Sequence, residues 1–469
     1  MLDFDKKNNI GVNFVMDMLR LSPLGRRSHR NIVPFVTGEE EKFRREMENL
    51  SRLSASVTRS QAVWNKFRVR LRGIKDIVPT LNKLARGICM SETEFYEIKC
   101  LAMEASALMP AISAAAADIG LLGIEFRPLG EVVRILDPSG TGSAAFDVSS
   151  SYSEVLRAAR EEKRNWDIKL RFDSDNPEFK EMRMKAVTVE REEETRVLYS
   201  LSKECSAYAG DMISDSLMLG YFDLLLEKAY LASERNLSRP ILSDRINLVG
   251  AVNPKIEDAL KRNGKTFTPV DIIIEQGTTV ISGANMSGKS VALKTIILNL
   301  YLVSAGFFPF TEHCEVFLFD DILTISEDLE DGNRGLSSFG GEIVRLNECI
   351  EETEKGYDLL FMDEFARGTN PVEGAKIARA AAEFFNEREC VCVMTTHFDG
   401  VSQAAGAHYQ VRGLSGVRSS DFTGSTDIAS LMDYSLEKVP LDMPVSREAV
   451  KVCRLLDMCP ELLALIETE

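Results

Sequence analysis

The rhythm of apolar and polar positions changes once along this chain. Over residues 50–120 and 150–235 the apolar positions recur every three or four residues, the period of a helix with one buried stripe. In "SETEFYEIKCLAMEASAL" that stripe is Phe95, Ile98, Leu101, Ala102, Ala105 and Leu108. Ser91 precedes it and Glu94 follows three residues on, the pattern of a capping box, which satisfies free N–H groups of a first turn. "SLMLGYFDLLLEKAYLA" predicts a second strongly apolar helix. Between the two, "GEVVRILDPSGTGSAAFDVSSSYS" is rich in Gly, Ser and Pro and predicts a connector. The charged run "LRAAREEKRNWDIKLRFDSDNPEFKEMRMKAVTVEREEETRVLY" predicts a solvated helix pair or coiled-coil arm. From about residue 241 short β-rich runs alternate with helices: "DIIIEQGTTVISG", "DLLFMDEF" and "CVCVMTTHF". That alternation predicts an α/β domain with a largely parallel sheet. The chain therefore divides into a mostly helical region, 1–240, and an α/β domain, 241–469.

A chain of 469 residues exceeds what one core organises. Its 45% hydrophobic and 27% charged residues are those of an ordinary soluble protein. A net charge of −16 and a pI near 5.0 differ from the basic footprint of a free-standing nucleic-acid binder, although a local basic patch is compatible with them. The nine cysteines form no disulfide framework and no paired spacing of a zinc site. Cys390 and Cys392 alternate onto one strand face and are expected to pack as small hydrophobes. The N-terminus "MLDFDKKNNIGV" lacks a basic-then-apolar signal pattern, and "IILNLYLVSAGFFPF", taken as the longest apolar stretch, is too short to span a bilayer. The expectation is a cytoplasmic protein without a membrane partner.

Four strings carry chemistry. In "TTVISGANMSGKSVALKT" a β-branched run leads through a glycine loop into a helix. Gly283, Ala284, Asn285, Met286, Ser287, Gly288, Lys289 and Ser290 match the phosphate-binding loop, two glycines framing a backbone cradle followed by Lys and Ser. Backbone N–H groups and the helix N-terminus suit phosphate, Lys289 reaches the β- and γ-phosphates, and Ser290 holds Mg²⁺. In "DLLFMDEFARGTNP" an apolar strand ends in two carboxylates: Asp363 suits the Mg²⁺ shell and Glu364 the activation of water. In "CVCVMTTHF" another apolar strand ends at His397, read as the sensor of the γ-phosphate. In "NRGLSSFGGEIVRLNECI" a Ser- and Gly-rich turn opens a helix, a second anion-binding N-terminus.

In this order and spacing, the strings "SGANMSGKS", "MDEFARGTNPVEG" and "TTHF" resemble the ATPase domain of the MutS family, the mismatch-repair branch of ABC-type ATPases. The resemblance covers residues 241–460, and more weakly the helical region, where "DMLRLSPLGRRSHR" looks like the family's core-domain entry and 51–115 like its lever helices. It implies a P-loop ATPase domain behind a core/lever region, with ATP and Mg²⁺ as cofactors and a homodimer that closes on ATP and opens on hydrolysis. It implies that Ser337 completes the γ-phosphate site of the other subunit, that Phe267 packs on adenine, that Tyr434 lies near a second adenine-stacking position, and that Arg367-Gly368-Thr369 lies at the dimer interface. Departures from the family pattern are Asn253-Pro254 for its His-Pro, Val291 for the usual Thr, and Ile325-Ser326-Glu327 for Arg-Ile-Gly. The start of the chain near the core-domain entry, and the short "FDSDNPEFKE" where a DNA clamp is expected, imply a divergent short form without the mismatch-reading domain. Two partner classes stay open. One is DNA, held through a basic stripe of Lys66, Arg68, Arg70, Arg72 and Arg26, with no mismatch preference. The other is a protein held by the lever helices, as in ATPases that reactivate cobalamin-dependent aminomutases.

Overall fold

The computed structural model describes residues 4–284, 287–326, 338–414, 432–446, 448–455 and 458–467. Two compact units emerge. One comprises Met1–Leu19, Val33–Ser51 and Leu231–Glu469, the other Arg20–Ile32 and Arg52–Tyr230. A cut at residue 240 thus differs from the contact-based division, which assigns two N-terminal segments to the α/β unit.

The α/β unit holds ten described strands: β1 Ile241–Leu242, β2 Ile246–Ala251, β3 Val270–Ile274, β4 Gly277–Ser282, β5 His313–Val316, β6 Ile322–Ile325, β7 Leu359–Met362, β8 Val391–Thr396, β9 Ala407–Gly413 and β10 Asp433–Lys438. Six of them form a sheet in the order β10-β9-β4-β8-β7-β6, with every neighbouring pair parallel except β10 with β9. A second sheet, β1-β5-β2-β3, is antiparallel where β2 meets β3 and β5. The run "DIIIEQGTTVISG" therefore supplies strands to two different sheets. Strands β4, β7 and β8 are buried at every position, as expected of parallel strands covered on both faces. Cys390, Cys392 and Met394 alternate onto one face, where they join Leu360, Met362, Phe365 and Phe385 in a single apolar cluster. All the cysteines are free.

In the helical unit the Glu92–Asp118 helix begins with the expected capping box: Glu94 N–H donates to Ser91 Oγ at 3.3 Å and Ser91 N–H to the Glu94 carboxylate at 3.0 Å. This helix, rather than the stretch around residue 300, is the one described helix long and apolar enough to cross a membrane by length and composition. Phe95, Ile98, Ala102 and Leu108 are each buried within its unit. The connector contains one short helix, Gly130–Leu136, which buries Val132 and Leu136. The charged run forms an antiparallel pair, Glu154–Phe172 and Pro177–Ser206, laced by Arg160 to Glu190 and Glu194 and by Arg183 to Asp167. Asn176 accepts from the N–H groups of Glu178 and Phe179, and Pro177 opens the returning helix where no N–H is needed.

The basic stripe requires correction. Residues Gln61–Gly73 form a helix, as the apolar period predicts, and on it residues two apart point to different faces. Arg68 falls with Trp64 and Leu71 on the buried side. Its Nε and Nη2 donate to the two Glu227 oxygens at 2.6 and 2.8 Å, and its guanidinium lies 3.8 Å from the Tyr230 ring centre. Lys66, Arg70, Arg72 and Arg26 remain exposed. Arg70 pairs with Glu104, while Arg72 and Arg26 donate to the carbonyls of Arg20 and Leu21.

One turn before Glu227 on the same helix, Asp223 is 1% exposed and accepts from Ser22 N–H at 2.8 Å. Burial pushes its carboxyl up to about 6, with Glu227 adding to the effect and the Ser22 bonds opposing it. The folded protein therefore binds this proton more tightly than the unfolded chain, whose Asp titrates near 3.9. Its contribution to stability is greatest below about pH 4 and is lost as pH rises through about 6. Asp223→Asn removes that titration while keeping an acceptor for Ser22. The stability difference between wild type and Asp223→Asn, from urea unfolding at pH 4.5 to 7.5, is expected to shift by about 2 kcal/mol in favour of the variant at high pH. A constant difference across that range contradicts this account.

Candidate functional site

Strand register brings the chemistry together. β8 pairs in parallel with β4 from Gly277↔Val391 to Ser282↔Thr396, and with β7 from Leu359↔Val391 to Met362↔Met394. The glycine loop, Asp363-Glu364 and His397 thus leave neighbouring strands on the same edge of the sheet, at the carboxyl ends.

The loop after β4 enters the helix Lys289–Ser304 through Gly288, whose φ of +92° is left-handed. A Cβ there is disfavoured and would also lie 2.8 Å from Cδ1 of Tyr434. Ser287 is buried, and its Oγ has no hydrogen-bond partner among the described residues. Lys289 is 3% exposed. Its ammonium donates to the carbonyls of Gly283 at 3.0 Å and Ala284 at 2.9 Å and lies 3.2 Å from the Glu364 carboxylate. Ser290 Oγ donates to Asp363 Oδ1 at 3.0 Å. A buried cation therefore occupies the mouth of the loop, held by groups of the protein itself.

The turn after β7 is strained. Glu364 and Ala366 have φ of +48° and +65°, uncommon for residues with a Cβ. Thr395, within β8, donates its hydroxyl to Asp363 Oδ1 at 2.6 Å and accepts from Glu364 N–H at 2.9 Å. Glu342, 2% exposed on the helix Ser338–Thr353, accepts from Ala366 N–H at 2.9 Å. Gly374 is required beneath: a Cβ there would lie 2.6 Å from the Ala366 carbonyl. The Glu364 carboxylate also accepts from Arg367 Nη1 at 2.8 Å.

His397 stacks obliquely on Phe398, with ring centres 4.3 Å apart, and its buried Nδ1 has no hydrogen-bond partner among the described residues. Burial lowers its pKa below the usual 6.5; Glu364 opposes the shift, and Lys289 and Arg367 add to it. The imidazole is neutral at pH 7.

Gly283, Ala284, Ser287, Gly288, Lys289, Ser290, Asp363, Glu364 and His397 thus lie at adjoining strand ends. Asn285, Met286 and Ser337 fall outside the described residues. Phe267 is half-buried on the segment that joins the helix Pro254–Arg262 to β3 in the chain. Tyr434 covers Gly288. Asn253, the departure from His-Pro, is fully buried: it caps the helix Pro254–Arg262 and donates to the Ile10 carbonyl at 2.9 Å. Thr395 and Glu342 escaped the reading of motifs. Their signal was a pair of threonines, Thr395 and Thr396, closing an apolar strand and a carboxylate inside a Ser-Gly-rich helix start.

Residues 279–435 match the family model of MutS domain V. This region belongs to the MutS family. The chain is 30% identical over 235 residues to the Endonuclease MutS2 of Caldanaerobacter subterraneus, covering 49% of this chain and 28% of that protein. It is 34% identical over 217 residues to that of Thermus thermophilus, covering 46% and 28%, and 32% identical over 228 residues to that of Clostridium kluyveri, covering 48% and 28%. The chain thus matches little more than a quarter of the length of these relatives. MutS domain V is an ATPase-type domain, and at this identity the present one is a divergent example.

The electrostatics of this MutS domain V give a direct test on one of only four histidines. In NMR titration His397 is expected to protonate below pH 6.5. Glu364→Gln removes an attraction that favours the imidazolium and is expected to lower the midpoint further. A midpoint above 6.5, or a rise in the variant, contradicts the assigned environment.

Proposed function

We propose that this MutS domain V binds ATP with Mg²⁺ and hydrolyses it, closing a homodimer on ATP and opening it on hydrolysis, with DNA as the material acted on. The observation that carries the reading is the convergence of Lys289, Ser290, Asp363 and Glu364 at adjoining strand ends beside a helix N-terminus.

The donor set fits the nucleotide. Ser287 Oγ is a buried polar atom in want of a partner, and amides of the first helical turn are unspent donors. Ser290 and Asp363 offer two hard oxygens in contact, the part of a Mg²⁺ shell a protein supplies before phosphate and water complete it. When bound, Mg²⁺ neutralises charge developing on the phosphates. Lys289 exchanges the loop carbonyls and Glu364 for phosphate oxygens. Glu364, released from Lys289, accepts a proton from the attacking water. The neutral imidazole of His397 hydrogen-bonds the γ-phosphate. Phe267 is assigned to adenine, and Tyr434, against Gly288, to the loop side of the nucleotide. Ser337 acts across the dimer, with Arg367 near that interface. Such a protein works inside the cell.

DNA is favoured as the partner because the matched relatives carry the name of an endonuclease, and because Lys66, Arg70, Arg72 and Arg26 leave an exposed basic set after the loss of Arg68. Nothing in the comparisons supports aminomutase reactivation.

Lys289→Ala is expected to lower ATP affinity at least a hundredfold, measured by equilibrium binding, with thermal unfolding within a few degrees of wild type. Unchanged affinity in a folded variant sinks the assignment of the loop. Glu364→Gln is expected to bind ATP, to hydrolyse it at least a hundredfold more slowly, and to accumulate as a dimer in sedimentation. A monomer at saturating ATP counts against closure, and a wild-type rate counts against Glu364. Duplex DNA binding is expected to weaken by about 0.9 log units per log unit of salt for each phosphate neutralised, without mismatch preference. No binding at low salt removes DNA from the proposal.

A further inference from the structure

We infer that Thr395 and Glu342 are positioning residues for hydrolysis: together they clamp the strained Asp363–Arg367 turn and so aim Asp363 and Glu364. The inference rests on the ATPase reading of this site.

The geometry assigns each residue a separate share of the turn. Thr395 Oγ1 sits between the two carboxylate-bearing residues, giving its proton to Asp363 Oδ1 at 2.6 Å and receiving that of Glu364 N–H at 2.9 Å. A hydroxyl can do both at once, and its direction is set because an N–H can only donate. The bond to Asp363 fixes the same oxygen that Ser290 Oγ contacts, and among the described residues the other oxygen has no hydrogen-bond donor. The bond to Glu364 holds a residue at φ +48°. Glu342 comes from another element and touches the turn two residues later, at Ala366 N–H, where φ is +65°. The two left-handed residues are thus each held by a buried side chain, one from β8 and one from the helix Ser338–Thr353. Left-handed non-glycine residues persist only where surroundings over-determine them, and these two bonds add to the backbone bonds of Asp363 N–H to Ile325 and Arg367 N–H to Glu364 in doing so. Without them the turn relaxes and Glu364 drifts from its water, a displacement of about 1 Å being enough to cost on the order of a hundredfold in rate. Glu342 lies one turn into the helix Ser338–Thr353, so the clamp also ties that helix to the turn.

The two shares predict different kinetics. Thr395→Val is near-isosteric and removes both bonds. It is expected to lower kcat ten- to a hundredfold and to raise the Mg²⁺ concentration for half-maximal rate severalfold, because Asp363 is disturbed too. Thr395→Ser is expected to recover most of both. Glu342→Ala is expected to lower kcat by a similar factor with Mg²⁺ requirement and ATP affinity within about twofold, and Glu342→Gln, which keeps an acceptor, to recover most of the rate. A readout independent of activity is hydrogen exchange of a peptide spanning 360–368 in nucleotide-free protein, expected to quicken in Thr395→Val and Glu342→Ala but not in the conservative variants. Thermal unfolding is measured first, and Thr395→Ala replaces the valine variant if that does not fold. Unchanged exchange with kcat within twofold of wild type overturns the inference, as does a uniform loss that serine and glutamine fail to rescue. A wild-type chain that hydrolyses no ATP refutes the function proposed above, while the exchange experiment still decides whether the two side chains hold the turn.

Discussion

Strand β8 is the spine of the site. It pairs in parallel with β4 on one side and β7 on the other, and the ladder leaves no freedom in register because all three strands are buried on both faces. A slip of one residue along β7 would turn Leu360 and Met362 away from the cluster they share with Cys392 and Met394. The same slip would carry Asp363 away from Thr395. Apolar burial, which has no chemical preference, thereby fixes polar groups to within a hydrogen bond. Two residues of β8 beyond the end of β7 supply the excess length from which Thr395 reaches back to the turn.

The second constraint is the balance of charge around Lys289. Its ammonium is almost fully buried and satisfied by two carbonyls and one carboxylate. A buried charge costs several kcal/mol unless paired, so these partners are what allow the residue to sit at the loop mouth without ligand. Glu364 is shared between Lys289 and Arg367. Were a phosphate to take over Lys289, as proposed above, Glu364 would keep a cation beside it through Arg367 and would not be left as an isolated carboxylate.

Much of this was legible in the sequence, for identifiable reasons. A glycine loop entering a helix, strand-end carboxylates and capping boxes are local: Ser91 and Glu94 need only each other, and Asp363-Glu364 need only the apolar run before them. Cys390 and Cys392 were readable because alternation fixes a strand face. What escaped was set by partners far along the chain. Nothing near "DIII" says that it joins a second sheet with residues 313–316 rather than the strand that begins three residues after it. Arg68 reads as one cation in an alternating basic run, and only Glu227, 159 positions away, draws it inside. Glu342 and Thr395 were hidden for the same reason: each acts on the turn across 24 and 31 residues of sequence.

The loss of Arg68 from the basic run changes the electrostatic argument about partners. The helix places Lys66 and Arg70 one turn apart on one face and Arg72 on another, with Arg70 already beside Glu104. In a chain of net charge −16 such a set offers a few phosphate contacts and no continuous track. The buried pair has its own purpose. Glu227 receives Arg68 through both oxygens and Arg20 N–H as well, while Asp223 receives Ser22 N–H, so two carboxylates one turn apart hold the 20–32 segment against the helix that bears them. Removing Arg68 would leave Glu227 buried and unpaired, which is far costlier than the loss of one surface cation. A weakened DNA interaction after substitution of Arg68 would therefore report damage to this polar core, and of the basic run Lys66, Arg70, Arg72 and Arg26 are the residues that can report on DNA itself.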